Sequence, residues 1–189
     1  MVGKSHQLVG FVSVYTVAIL LPVGHLNTQT IIACVLCITV GSLASDLDSQ
    51  ENKLYTLIPI GQKIFAEVGE RAFGRHRSIS HSALGVVIFG YLTHWLIYMI
   101  PKENGIPHEL LWGSFMISFV SHLVADALTR DGIPLLWPIK WRFGFPPLKF
   151  LRMKTGGWFE LYVVRSLLLL FLIYITYVEW DSVSSIFWK

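Results

Sequence analysis

Five apolar stretches, at roughly residues 8–22, 31–45, 83–100, 110–128 and 163–180, decide what this chain can become. Inside a bilayer every backbone N–H and C=O must find its partner within the segment, so stretches of this kind are forced into helices. The last, with Leu167 to Leu170 and on to Tyr177, is the clearest span. The first two fall short of the ~20 residues a span wants, and could form a tight helical hairpin or two half-buried helices. With 53% hydrophobic and 14% charged residues and a mean hydropathy of +0.57, the chain lies outside the range of ordinary soluble domains. The expectation is an all-α integral membrane bundle of about five spans, four if the first two segments do not both cross. There is no repeat and no low-complexity tract, and residues 1–189 read as a single membrane-embedded domain. Residues 8–22 also mimic a signal-peptide core, but only Lys4 precedes them and no small-x-small cleavage site stands before Pro22.

Lysine and arginine set the orientation. With the N-terminus inside and five spans, Lys4 is cytoplasmic. So are Lys53, Lys63, Arg71, Arg75 and Arg77 of the loop 46–82, and Arg130, Lys140, Arg142, Lys149, Arg152 and Lys154 of the loop 129–162. Only Lys102 and Lys189 fall outside, as the positive-inside rule demands. The net charge of +3 is thus a sign of membrane topology rather than of a nucleic-acid partner.

The two inner loops have distinct character. Leu57, Ile58, Ile64, Phe65, Val68, Ala72 and Phe73 recur at helical spacing among Lys63, Glu67, Glu70 and Arg71, predicting an amphipathic helix on the inner leaflet. Residues 133–150 hold Pro134, Pro138, Pro146 and Pro147, too many for a helix. Their aromatic residues, among them Trp137, Trp141, Phe143, Phe145 and Phe150, interleave with Lys140, Arg142 and Lys149, a composition suited to the headgroup zone. The loop reads as an anchor or, more sharply, as a lid or lipid-entry wall. Cys34 and Cys37 lie within an apolar span and read as small buried thiols.

The residues able to do chemistry gather at one side of the threaded membrane. His122 and Asp126 are four apart on a helix and share a face, as two metal ligands or as a hydrogen-bonded pair. Asp46 and Asp48 end the second span, where a turn or frayed helix end would let them bridge cations, or let one cap the next segment. His76 and His81, five apart, suit a turn entering the third span, with Ser80 or Ser82 as its cap. His6 precedes the first span and Glu160 the fifth. Ionisable groups at membrane spans are costly unless wet, paired or bound. This ring of His and carboxylate predicts a site for one to three divalent ions, zinc first, manganese or iron next, ahead of the all-oxygen shells of calcium and magnesium. His25, His94 and His108 fall toward the other face or mid-membrane and stay outside the site.

The stretches KSHQLVG, GSLASDLDS, FGRHRSISHS and above all SHLVADALTRDGIPLLWPIKWRF resemble the YdjM family, which implies a membrane-bound metal-dependent hydrolase of bacteria. The resemblance covers most of residues 5–165. It implies that His6, Asp46, Asp48, His76, His81, His122, Asp126 and Glu160 are the functional residues. The sequence departs at Ser45, where proline is usual, and at Ser80, where threonine is usual. A fainter similarity runs to the zinc-dependent phospholipase C and single-strand nuclease group, which implies phosphoester hydrolysis.

Together these readings predict a hydrolase of the bacterial inner membrane with its site on the cytoplasmic face, acting on a lipid or lipid-linked phosphoester. Asp48 or Glu160 would serve as general base, and Arg77 or Arg165 would hold a phosphate. The rivals are a metal-dependent amide or peptide hydrolase and a non-enzymatic metal-binding transporter or sensor. A transporter should carry polar groups through the middle of its spans, where this chain has little beyond His94 and Ser118.

Overall fold

A computed structural model describes residues 1–21, 23–46, 79–101, 105–139 and 141–187. The expected amphipathic helix at 57–73 lies outside them, as do Asp48, His76 and Arg77. The chain forms α1 (Gly3–Leu20), α2 (Thr28–Ala44), a 3₁₀ turn at Ile79–His81, α3 (Ala83–Tyr98) and α4 (His108–Ala127). After a long loop, a π-helical turn at Phe159–Val164 runs into α5 (Arg165–Val178), followed by the short α6 (Trp180–Phe187). No strand occurs among the described residues, only two isolated bridges.

Local chemistry explains the helix starts. Asn27 caps α2 by accepting the Thr30 N–H at 2.7 Å. Ser82 caps α3 by accepting the Gly85 N–H at 3.1 Å, and its own hydroxyl donates to the Ile79 carbonyl at 2.7 Å. Of the two serines foreseen as caps, Ser82 takes the role. The first helix begins earlier than its apolar stretch, because Lys4, Ser5, His6 and Gln7 continue the helical turn. His6 therefore sits on a helix, not ahead of one.

Two helices, His108–Ala127 and Phe159–Val178, are each 20 residues and apolar enough to cross a membrane. The others are shorter, at 18, 17 and 16 residues for α1, α2 and α3. At 1.5 Å per residue they rise roughly 24–27 Å, a little under the ~30 Å hydrocarbon layer. Leu167, Leu170, Ile173, Tyr174 and Tyr177 of α5 are all exposed, an apolar surface that water would penalise and lipid does not.

The bundle is organised around α4, which packs on α2, α1 and α3. Small residues bring the backbones close, as membrane bundles require. A Cβ on Gly10 would collide with the Ser118 hydroxyl, and one on Gly41 would lie 2.5 Å from the Phe115 carbonyl oxygen. Ser118, mid-span, donates across to the Ile38 carbonyl at 2.8 Å and so serves packing. Phe89, Phe115, Phe119 and Leu123 fill the space below, joined by Ala44, Ala127 and Ile133.

Among its described residues the loop 129–157 holds no helix beyond a 3₁₀ turn at Lys149–Leu151, as its prolines predict. Thr129 bridges Met153 and Ile133 bridges Phe143. Arg152 donates to the Pro146 carbonyl at 2.7 Å and to that of Pro147 at 3.0 Å. The Ala83 N–H donates to the Leu135 carbonyl at 2.9 Å, tying this loop to the start of α3.

Candidate metal centre

Helices that alternate in direction bring every second terminus to the same end. The start of α1, the end of α2, the entry to α3 and the end of α4 meet there, and each contributes a side chain. His6 comes from α1, Asp46 from the turn after α2, His81 from the 3₁₀ turn, and His122 and Asp126 from α4. Four of the five are fully or almost fully buried, and Asp46 keeps a partly exposed edge.

Their atoms form two overlapping groups able to hold a metal ion: His6, His122 and Asp126, and Asp46, His81 and His122. His6 Nε2 stands 3.2 Å from Asp126 Oδ1. His81 Nε2 stands 3.5 Å from both Asp126 Oδ2 and Asp46 Oδ1, and His122 Nε2 is also 3.5 Å from Asp46 Oδ1. The His6 and His122 rings stack with centroids 3.6 Å apart. The terminal amine of Met1 contacts Asp126 as well.

These spacings discriminate. At 3.5 Å a nitrogen and a carboxylate oxygen are beyond an ordinary hydrogen bond. Bonds of about 2.0–2.1 Å to a tetrahedral zinc place neighbouring donor atoms roughly 3.3–3.4 Å apart. The donor set therefore fits a divalent ion.

Orientation of the rings supports the same reading. His122 Nδ1 lies 2.7 Å from the Ser42 carbonyl, which can only accept, so Nδ1 carries the proton. In the neutral ring Nε2 is then the lone-pair nitrogen, and it is buried with no hydrogen-bond partner. Second ligand nitrogens in metal sites are fixed in this way. Ser80 Oγ lies 3.0 Å from His81 Nδ1 and orients that ring.

Charge inside the cluster is strongly coupled. Burial pushes His81 down, but Asp126 and Asp46 outweigh it and raise its pKa to about 9. Burial likewise opposes charge on Asp46, yet His122 and His81, when the ring nitrogens facing it carry protons, hold its carboxyl well below the usual range. Without an ion, a protonated His81 holds the carboxylates together.

Glu160 is fully buried but belongs to neither group. Its Oε1 accepts the Val2 N–H at 2.7 Å and its Oε2 the Gly156 N–H at 2.9 Å, so it clasps the chain start to the turn before α5. Arg165 donates to Ser5 Oγ at 3.0 Å, and Ser5 in turn bonds Glu160. Of the eight metal candidates, the structure brings together His6, Asp46, His81, His122 and Asp126. It sets Glu160 apart, and Asp48 and His76 lie outside the described residues, as does Arg77.

Sequence reasoning passed over the Ser42 carbonyl and the Ser5 hydroxyl. A backbone acceptor leaves no trace in residue type, though the small residues Gly41 and Ser42 do mark where α2 approaches α4. The two expected departures are mild. Ser45 has φ −62°, a value proline shares, and Ser80 supplies the hydroxyl that threonine would.

Fold and site together define a helical membrane protein with a buried histidine–aspartate centre at one end of its bundle. A sequence profile described as YdjM inner membrane protein matches residues 1–182, and the chain belongs to that family. It is 38% identical to Inner membrane protein YdjM of Escherichia coli (strain K12) and of Shigella flexneri over 97 residues, 51% of this chain and 45% of each relative. The aligned part thus spans under half the length of those proteins. To YvsG of Bacillus subtilis (strain 168) it is 34% identical over 130 residues, 69% of this chain and 70% of that protein. No solved structure matches the chain. An inner-membrane location follows from the family.

Proposed function

We propose that this chain is a multi-pass, metal-dependent hydrolase of the inner membrane, acting at the cytoplasmic face on a phosphoester of a lipid or lipid-linked substrate. The observation that carries the reading is the convergence of three imidazoles and two carboxylates from four helix ends, with donor atoms 3.2–3.5 Å apart in a largely buried cluster. His6, Asp46, His81, His122 and Asp126 would hold the ion, zinc ahead of manganese or iron given three nitrogen donors. A divalent ion at such a centre activates water near neutral pH and polarises a phosphoryl oxygen.

The chain's own residues supply the rest. Ser42 and Ser80 fix the imidazole orientations. Asp46, alone of the five in keeping an exposed edge, would mark the side from which substrate enters. As a ligand with a depressed pKa it would leave the proton to an uncoordinated carboxylate, for which Asp48 is the candidate, with Arg77 a candidate for holding the phosphate. The crowding of lysine and arginine at the site end supports a cytoplasmic orientation.

Elemental analysis of the purified protein, followed by release of headgroup from inner-leaflet phospholipids, tests the reading. Stoichiometric zinc, manganese or iron that chelator removes together with hydrolysis is expected. A protein that takes up no divalent ion would overturn it.

A further inference from the structure

Beyond the buried centre, the most unusual surface is the loop 129–158. Trp141 is 78% and Phe150 72% exposed, with Phe145 at 61%, on a segment tied by its own bridges and by Arg152. The loop lies between the end of α4 and the start of the last span, so it is on the same end as the metal centre. A cavity of about 580 Å³ opens in it, lined by Leu135, Leu136, Trp141, Arg142 and Phe143. The Arg142 guanidinium donates to the Asp131 carbonyl at 3.3 Å, one donor of its five, which keeps the group at the cavity. Leu135, also in the lining, accepts the N–H of Ala83, the first residue of α3, two positions after His81.

Exposed aromatics beside a cation, in a protein of the inner membrane, match one surface: the interface of an anionic leaflet. We propose that this cavity is a binding site for the headgroup of an anionic phospholipid. Arg142 would pair with the phosphate, Trp141 and Phe143 would rest at the acyl boundary, and the held lipid would lie beside the His81 edge of the centre. The proposal rests on the reading that the site end faces the cytoplasm, but not on hydrolysis.

Native mass spectrometry of protein extracted from vesicles of equal phosphatidylglycerol and phosphatidylcholine provides the test. Wild type should retain the anionic lipid preferentially. Arg142→Gln should reduce that preference about tenfold, the loss of one charge-assisted bond, and Trp141→Ala should weaken it too. Trp95→Phe, at an exposed site on α3, should leave it unchanged. Metal content should be unaltered in all three. Equal retention of both lipids by wild type, or unchanged preference in Arg142→Gln, would overturn the proposal. Wild-type protein that keeps the lipid preference but takes up no divalent ion and releases no headgroup would instead count against the hydrolase reading alone.

Discussion

Replacing His122 by alanine tests the centre most directly, because that ring belongs to both candidate groups. The apparent free energy of a four-ligand zinc site is about 10–16 kcal/mol, or roughly 3 kcal/mol per ligand. Losing one ligand should therefore weaken binding by about 100-fold, since each ~1.4 kcal/mol is a factor of ten. The effect can be read from stability. At a free metal concentration of about 100 times the wild-type Kd, binding stabilises the folded protein by ~2.7 kcal/mol, and a 100-fold weaker variant would gain only ~0.4 kcal/mol. The substitution also removes the bond to the Ser42 carbonyl and the stacking on His6, so the metal-free variant should itself be less stable by about 1–3 kcal/mol. Thermal unfolding in detergent, with chelator and with titrated zinc, separates the two effects, because only the first depends on metal. His94→Ala should leave the zinc-dependent shift intact. If folded His122→Ala keeps the full shift and full metal occupancy, the centre has been assigned to the wrong residues.

Four further outcomes are expected. Because His81 holds its proton up to about pH 9 in the ion-free state, metal must displace it: affinity should rise with pH and level off near that value, with about one proton released at pH 7. Calorimetry in buffers of different ionisation enthalpy reads that proton, and a flat pH profile would contradict the geometry. Glu160→Gln should keep bound metal but lower the unfolding temperature, since an amide nitrogen cannot accept from Val2 or Gly156, at a cost of about 1–3 kcal/mol; lost activity at unchanged stability would restore Glu160 to a chemical role. Gly41→Val should destabilise by at least about 1–3 kcal/mol, because its added atoms meet the Phe115 backbone rather than a movable side chain. On a background lacking Cys34 and Cys37, a cysteine replacing Lys102 should react with an impermeant reagent in intact cells and one replacing Lys63 should not; the reverse pattern would invert the topology.

Much of the fold was readable because lipid leaves the backbone so little choice. The apolar stretches became helices, and their alternation alone placed His6, Asp46, His81, His122 and Asp126 at one end. Pairing of His122 with Asp126 followed from helical spacing. What composition could not reveal was where polar partners are supplied by backbone. Glu160 has the residue type of a ligand or base, yet its two oxygens face the amides of Val2 and Gly156. The first helix was misjudged at its start for a related reason. Lys4 to Gln7 are polar, but they stay helical since their end of α1 packs on the centre rather than in hydrocarbon.

The five donors lie as far apart in the chain as residues 6 and 126, each presented by a different helix end save one pair. No hairpin cut from this protein can therefore own the centre. During synthesis, His6 and Asp46 must wait until the fourth helix has been made before any complete set exists. An ion caught there would act as a rivet through helices that arrived at different times. Its capture would mark the moment at which separate helices become one object.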